Sequence, residues 1–560
     1  MSETKTPVGV SVIQQSPSTE TNTQSIQIET AQQTEYVFNR DYRFWCIIIA
    51  LCTMQILCSL ENTVVVTSLP TIVKHLDLGS SYVWVTNIFF LTGAVTQPLT
   101  GQLAGLFGRR HIALLFVALY TLGSGICGGA NTPAMLIAGR AIQGAGSGGM
   151  TAIMGIVISD LVPLRWRSAY QAILAVTYAF GMAIGPVVGG AIVQRTEWRW
   201  VFYINLPICA VSFALLWWFL RVKWDRELDL WDRLRRIDVL GNCLLVASTV
   251  SVLIALTWAG SLYAWSSFRV VVPLVLGLVG LVGFFWVESS GWIVEPVMPR
   301  RLFANRTSII IYINTFIISI LNYWIFFFLP LYFQAVRLSS PTRSGVQILP
   351  ITLIAIPGAA IGALALSKWG KYKHLHIIGF VLLAAVIGSF STLTKSSSTA
   401  QWICLQILPS VGAGMVLDTL LPAVQAGVAE VDSAAVTASW SFVRSFGNIW
   451  GVAIPSAVLN IYSTRYADEI ITDPTARLAL QNGNVYSSAT REFIESFSEP
   501  TRSQIIGVFT KALSKVFLVG MVFPILAFLL SFWEREVKLR KVLETEFGLE
   551  GRVEGKRDGK

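Results

Sequence analysis

Four ionisable side chains stand inside long apolar runs of the chain: Glu61, Arg140, Asp418 and Arg444. Even lenient scales charge about 2.5–3.5 kcal/mol for a central Asp or Arg in a bilayer, so each of these must face a partner or a water-filled crevice. Glu61 is the sharpest case, being the only charge between Phe44 and Val73. A carboxylate in such a place can load and release protons; it can equally serve as the structural counter-ion of Arg140 or Arg444. Asp418 and Arg444 form a candidate second intramembrane pair, structural or coupling.

Small residues surround two of these sites. Arg140 opens a stretch containing Gln143, Gly144, Gly146 and Gly148, in which missing side chains let neighbouring helices approach and leave the guanidinium pointing into a bundle. A later stretch sets Gly181, Gly185 and Gly189 on one helical face, with Pro186 permitting a bend and Gly190 adding a further small position. Between two apolar runs, Gly101 to Arg110 supplies glycines (Gly101, Gly108) for a tight turn and two arginines, Arg109 and Arg110, to fix its side of the membrane. Each of these stretches, taken alone, is also what ordinary helix packing or a generic loop would use.

Signatures of soluble catalysis are missing from the sequence. It has no G-x-x-x-x-G-K-[ST] phosphate loop and no H-E-x-x-H, and its four histidines, His75, His111, His374 and His376, fall at run edges where they read as solvated. No metal site and no organic cofactor is expected, and the chain is not expected to be an enzyme. The seven cysteines lie within apolar runs without a C-x-x-C pair and read as small core residues.

The elements that must position these residues follow from composition. Charged residues make up 13% of the 560 and apolar ones 54%, against roughly 25% charged in a soluble domain. An all-α polytopic membrane protein is the class that fits. The net charge of +10 is spread over short clusters between apolar runs, which argues for membrane topology and against nucleic acid as partner. Spans are predicted at 44–68, 82–104, 111–130, 134–158, 168–192, 201–220, 238–258, 270–287, 308–332, 345–366, 375–394, 401–426, 434–460 and 513–533, which makes 14 transmembrane helices. Loops assigned to the cytosol by this count are much richer in Lys and Arg than those assigned outside, so both termini are read as cytosolic. The sequon at Asn305 then falls on the cytosolic side and is expected to stay unglycosylated.

In this order and register, the stretches Gly101 to Arg110, Arg140 to Gly146, Gly181 to Gly190 and the run Trp198 to Pro207 resemble the major facilitator superfamily, in particular its fourteen-helix drug:proton antiporter branch of fungal-type efflux pumps. The resemblance covers about 44 to 533. Two departures stand out. The first-helix motif usually carries Leu-Asp where this chain has Leu60-Glu61, and the loop signature usually carries an acid where Gly105 stands, so the conformational latch that this acid serves is weakened or built elsewhere.

What the resemblance implies is a major facilitator fold of two six-helix bundles plus two inserted helices. The domains are then a disordered cytosolic tail (1–43), an N-terminal six-helix bundle (44–220), a basic cytosolic loop (221–237), two inserted helices (238–287), a C-terminal six-helix bundle (308–533) with an extracellular loop (461–512), and a cytosolic tail (534–560). It further implies proton-coupled efflux of a hydrophobic small molecule, such as a secondary metabolite, toxin or drug, by a monomer in the plasma membrane, or else the vacuolar membrane, with the proton gradient as energy source. Glu61 and Arg140 carry the proton coupling, and Gly101, Gly108, Arg109, Arg110, Gln143, Gly144, Gly181, Gly185, Pro186, Gly189 and Gly190 form the conformational motifs. An uptake carrier for a nutrient or siderophore on the same fold is the alternative, and a transporter-like sensor a more distant one. Tyr323, Trp324 and Phe328 are expected to line the substrate cavity.

Overall fold

The computed structural model describes residues 41–76, 82–222, 229–259, 263–291, 293, 295–481, 485–486 and 488–540. The predicted tail up to residue 40, part of the basic loop (223–228) and residues 541–560 lie outside the described residues, as do the surroundings of the Pro186 ring and of Gly190. Every regular element among the described residues is helical, and no β-strand forms.

The long helices are α1 (Tyr42–Leu76), α2 (Tyr82–Phe107), α3 (Arg109–Gly128), α4 (Pro133–Leu161), α5 (Arg167–Arg195), α6 (Asn205–Phe219), α7 (Val239–Trp258), α8 (Phe268–Ser289), α9 (Arg306–Ala335), α10 (Pro341–Trp369), α11 (Lys373–Ile387), α12 (Thr399–Ala426), α13 (Ser433–Ile470) and α14 (Thr501–Gly520, continued by Val522–Ser531). Local chemistry marks many of their ends. Thr132 accepts from Met135 N at 3.2 Å with Pro133 in the first turn of α4, and Ser340 with Pro341 does the same for α10. Between α2 and α3, Gly108 takes φ 83, a left-handed conformation that a side chain would strain, and this lets the chain turn with a single residue.

Twelve helical segments among the described residues are long and apolar enough to cross a membrane, so the chain is an integral membrane protein. α2 and α5, of 26 and 29 residues, stand outside that twelve but are equally long and pack among them. α8 leaves Val275, Leu276, Val279, Val282 and Trp286 exposed, an apolar face that only lipid can satisfy.

Within α1–α6 the tightest neighbours are α3 with α4, α2 with α4, and α1 with α5 and α6. Within α9–α14 they are α10 with α12, α9 with α13, α11 with α12, and α13 with α14. α7 and α8 pair with each other, and α7 also touches α2 and α13. The two sets meet where α13 packs on α2 and α4, and where α10 and α12 pack on α5.

Three expectations change. The loop predicted at 461–512 shrinks to 471–500, because α13 continues to Ile470 and α14 starts at Thr501; two short helices, Pro474–Ala479 and Arg491–Glu495, fill the remainder. His376 is fully buried, its Nδ1 2.8 Å from Glu534 Oε2, while His75, His111 and His374 are exposed as expected. This pair holds the start of the predicted tail against the bundle, where Asn314 donates 2.9 Å to Glu534 and Tyr372 donates 2.6 Å to the carbonyl of Arg535. Trp324 and Phe328 are fully buried in the core of α9–α14, against Phe523 and Tyr486 respectively, and so do not line a cavity.

Candidate functional site

Glu61 and Arg140, 79 residues apart, meet in the interior of α1–α6. Arg140 Nη1 donates to Glu61 Oε1, and the two side chains are 2% and 0% exposed respectively. Both oxygens of the carboxylate are committed, since Asn205 Nδ2 at the start of α6 donates 2.7 Å to Oε2. Arg140 is itself held from three sides. Its Nε donates 3.0 Å to the carbonyl of Val85, Nη1 also reaches Gln143 Oε1 at 2.7 Å, and the guanidinium sits 4.2 Å over the ring of Phe89. Gln143 in turn donates 2.9 Å to Ser124 on α3. One ion pair thus ties α1, α2, α3, α4 and α6 together. Removing one partner of a buried pair leaves an uncompensated charge and costs about 3–5 kcal/mol, so the charge state of Glu61 bears on the packing of all five helices.

The glycines of α4 and α5 let this site close. A Cβ on Gly144 would lie 2.3 Å from the carbonyl oxygen of Phe89, which puts α2 and α4 in backbone contact one turn beyond Arg140. On α5, a Cβ at Gly181 would meet Ser59 Oγ at 1.9 Å and one at Gly185 would meet Thr63 Oγ1 at 1.8 Å. Ser59 and Thr63 are the residues two before and two after Glu61, so α5 rests on the very turns of α1 that present the carboxylate. Gly189 is buried on the same helix.

A second polar cluster closes the seam between the two helix sets, at the end where the basic residues gather. Arg109, 2% exposed, donates 2.7 Å through Nε to Asp160 at the end of α4 and 2.8 Å to the carbonyl of Ala104. Arg110 instead lies 4.6 Å over the ring of Trp217. Arg167, at the start of α5, donates to Glu430 and, at 2.9 Å, to Gln425 Oε1, both beyond the seam. Gln425 returns with donations to Ser159 at 2.8 Å and Thr437 at 2.9 Å, and Arg540 adds an ion pair to Glu430 at 3.4 Å. Gly101 brings α2 against α13, where its Cβ would lie 2.6 Å from that of Ala438. With no acid at Gly105, the carboxylates of this cluster come from Asp160 and Glu430. Sequence reading missed both as site residues, along with Asn205 and Gln425; Arg109 was expected in the conformational motif, while Arg167 was visible only as a charge at a helix edge.

Asp418 and Arg444 are brought near each other across α12 and α13 but make no ion pair. The Arg444 guanidinium lies 5.5 Å over the ring of Trp440, near enough for its charge to act on Asp418, Tyr178 and Tyr323. Higher on the seam Gln97 and Ser445 exchange hydrogen bonds of 2.9 and 3.0 Å. Among the described residues no group of three or more His, Cys, Asp or Glu is placed to hold a metal ion.

Comparison with known proteins agrees with this architecture. Residues 51–452 match the family model of the Major Facilitator Superfamily. The MFS-type transporter TwmF of Talaromyces wortmannii is 46% identical over 96% of this chain and 97% of its own length. The MFS efflux transporter aclA of Aspergillus oryzae is 43% identical, covering 91% and 93%, and the efflux pump FUS6 of Gibberella moniliformis 42%, covering 90% of each. Among solved structures, the human organic anion transporter MFSD10 superposes with a TM-score of 0.56 over 87% of this chain and 99% of its own, at 15% identity, which speaks to the fold alone.

Proposed function

The chain belongs to the Major Facilitator Superfamily, and from that premise we propose that it is an efflux pump for a hydrophobic small molecule driven by exchange for protons. It is a transporter and not an enzyme. On this reading α2 and α5 also cross the bilayer, giving fourteen spans; α1–α6 and α9–α14 are the two bundles and α7–α8 the insert. The end of the molecule that carries Arg109, Arg167 and Arg540 is cytosolic, following the distribution of Lys and Arg.

The observation that carries the coupling is the commitment of both Glu61 oxygens, one to Arg140 and one to Asn205. A proton arriving on Glu61 cancels the charge that Arg140 balances and turns one acceptor oxygen into a donor. Asn205 or Arg140 must then let go. Arg140 keeps Val85, Gln143 and the face of Phe89, so the arginine stays while α1 is freed. Because Ser59 and Thr63 bear on Gly181 and Gly185, a shift of α1 passes straight to α5. α5 begins with Arg167, whose bonds to Glu430 and Gln425 hold the cytosolic side of the seam shut. Proton loading at Glu61 thus biases the lock 106 residues away in sequence, and alternating access follows as one bundle rocks on the other.

The pump is read as a monomer in the plasma membrane, with a secondary metabolite, toxin or drug as cargo. The test is transport in inside-out vesicles under an imposed pH gradient, using a panel of hydrophobic fluorescent dyes. Glu61→Gln is expected to abolish gradient-driven accumulation while leaving dye exchange without a gradient in place. Gradient-driven transport at the wild-type rate with normal expression would rule out Glu61 as the coupling group. Dye moving out of the same vesicles down the gradient would favour the uptake reading.

A further inference from the structure

Of the four intramembrane charges, Glu61 and Arg140 satisfy each other, and Arg444 is left over. Its guanidinium makes no hydrogen bond and no ion pair with any described residue; its organised contact is the Trp440 ring at 5.5 Å. Arg offers five N–H donors in a planar fork, and stranding them within an apolar helix is costly unless an acceptor is met there for part of the working cycle. The side chain is half-buried and not sealed.

Its surroundings come from both helix sets. Asp418 on α12, Tyr323 on α9 and Tyr178 on α5 all lie within range of its charge. The Tyr178 hydroxyl accepts from Asn62 Nδ2 at 3.3 Å, and Asn62 is the residue after Glu61. The next residue, Ser445, bonds Gln97 on α2, so Arg444 sits where the two halves face each other, and Tyr178 ties its surroundings to the turn of α1 that carries Glu61. A purely structural arginine would close on Asp418, its near neighbour of opposite charge, and it does not.

Resting on the transport reading above, we propose that Arg444 is the anchor for an anionic oxygen group, a carboxylate or an equally acidic enolate, on the transported molecule. The rings of Trp440, Tyr178 and Tyr323 take up the apolar body beside that group. The guanidinium fork matches two such oxygens at once, which an ammonium cannot do. Asp418 is the competing anion: it lies near enough to oppose a second negative charge beside Arg444 without itself bonding the guanidinium.

The test uses full-length protein in nanodiscs with pyrenebutyrate and its uncharged methyl ester as probes, at a pH where the acid is ionised, and with empty nanodiscs as blank. Wild type is expected to bind the acid about tenfold or more tightly than the ester, the size of one charge-assisted hydrogen bond. Arg444→Gln should erase that preference while ester binding persists, Arg444→Lys should keep part of it, and Asp418→Asn should tighten acid binding. The proposal is overturned if wild type shows no preference, if the preference survives Arg444→Gln, or if Asp418→Asn weakens acid binding. Should Arg444→Gln fail to fold, the lysine and Asp418 variants decide by the same readout. Absence of acid preference in wild type with Glu61-dependent dye efflux intact sinks only the anion site; the converse sinks only the coupling.

Discussion

Asn205 Nδ2 donates 2.7 Å to the Oε2 of Glu61, so an uncharged side chain at the start of α6 completes the shell of the one carboxylate in α1. The bond is between fully buried groups, where a hydrogen bond to a charged partner contributes about 1.5–3 kcal/mol. Asn205→Ala is expected to leave expression near normal, since Glu61 keeps Arg140 as its counter-ion, but to slow gradient-driven efflux by about tenfold or more. Asn205→Asp should be worse, placing a second carboxyl against the first. Dye efflux from energised vesicles, normalised to protein, reads both; an Asp variant as active as wild type would remove Asn205 from the site.

The seam of α1 and α5 makes a second test. A Cβ on Gly185 would fall 1.8 Å from Thr63 Oγ1, 2.8 Å from Thr63 Cβ and 3.2 Å from the carbonyl oxygen of Leu60, so Gly185→Ala must push the helices apart or force Thr63 into another rotamer. Overpacking of this kind costs about 1–3 kcal/mol. Thr63→Ala removes the obstructing oxygen. Thermal unfolding in detergent is expected to show Gly185→Ala lowering Tm and the double variant recovering much of the loss. Additive effects of the two substitutions would mean that this contact does not exist.

The two ends of the central ion pair were legible in the sequence because a lone charge in thirty apolar residues announces itself. Its other partners were not. Asn205 and Ser124 are uncharged, carry no spacing signal relative to Glu61, and come to it only through the packing of α3 and α6. Arg167 showed itself as a positive charge at a helix edge, which the distribution of loop charges already explained, so its bond to Glu430 across 263 residues had no separate trace. Helix ends failed for a related reason. α13 outlasts its apolar run because Arg465 and Glu469, one turn apart and paired at 3.2 Å, sustain the helix with polar contacts. In the same way α14 starts at Thr501, through a stretch holding Arg502, Gln504 and Lys511, before its apolar part begins. Periodicity finds the membrane-buried length of a helix and stops where its solvated turns take over.

Outside the spans, Glu499 supplies a pH prediction. Ser503 donates to its Oε2 through both Oγ and, at 3.2 Å, the backbone N, and these bonds hold the carboxyl below its ordinary range. A folded-state value depressed in this way contributes stability that is present above the unfolded value, about 4.3, and is lost as pH falls through the folded one. Acid is therefore expected to fray the first turn of α14, and Glu499→Gln to remove that acid-dependent part. Hydrogen exchange of the segment 501–506, compared at neutral pH and below about pH 4, measures it. Protection that falls equally in the Gln variant would assign the acid effect to another group.

The lock at the basic end offers the most direct handle on the transport cycle. Ser159 Oγ on α4 and Thr437 Oγ1 on α13 lie 3.4 Å apart, with Gln425 donating to both, so the two helix sets touch at this point through three small polar groups. Alternating access requires that contact to open once in every turnover. Cysteines placed at both positions have their Sγ atoms within reach of a disulfide if the separation of the native oxygens is kept. Oxidising Ser159→Cys/Thr437→Cys is expected to stop efflux and reduction to restore it, while neither single variant responds, since the seven native cysteines are all free and none lies in this cluster. Arg167→Gln should act in the opposite sense. With Glu430 and Gln425 released from the guanidinium, the seam opens more readily, and the double-cysteine pair should cross-link more slowly in that background. Efflux that continues unchanged in the fully cross-linked protein would show that this seam does not open during transport, and the path of the cargo would have to be sought elsewhere in the bundle.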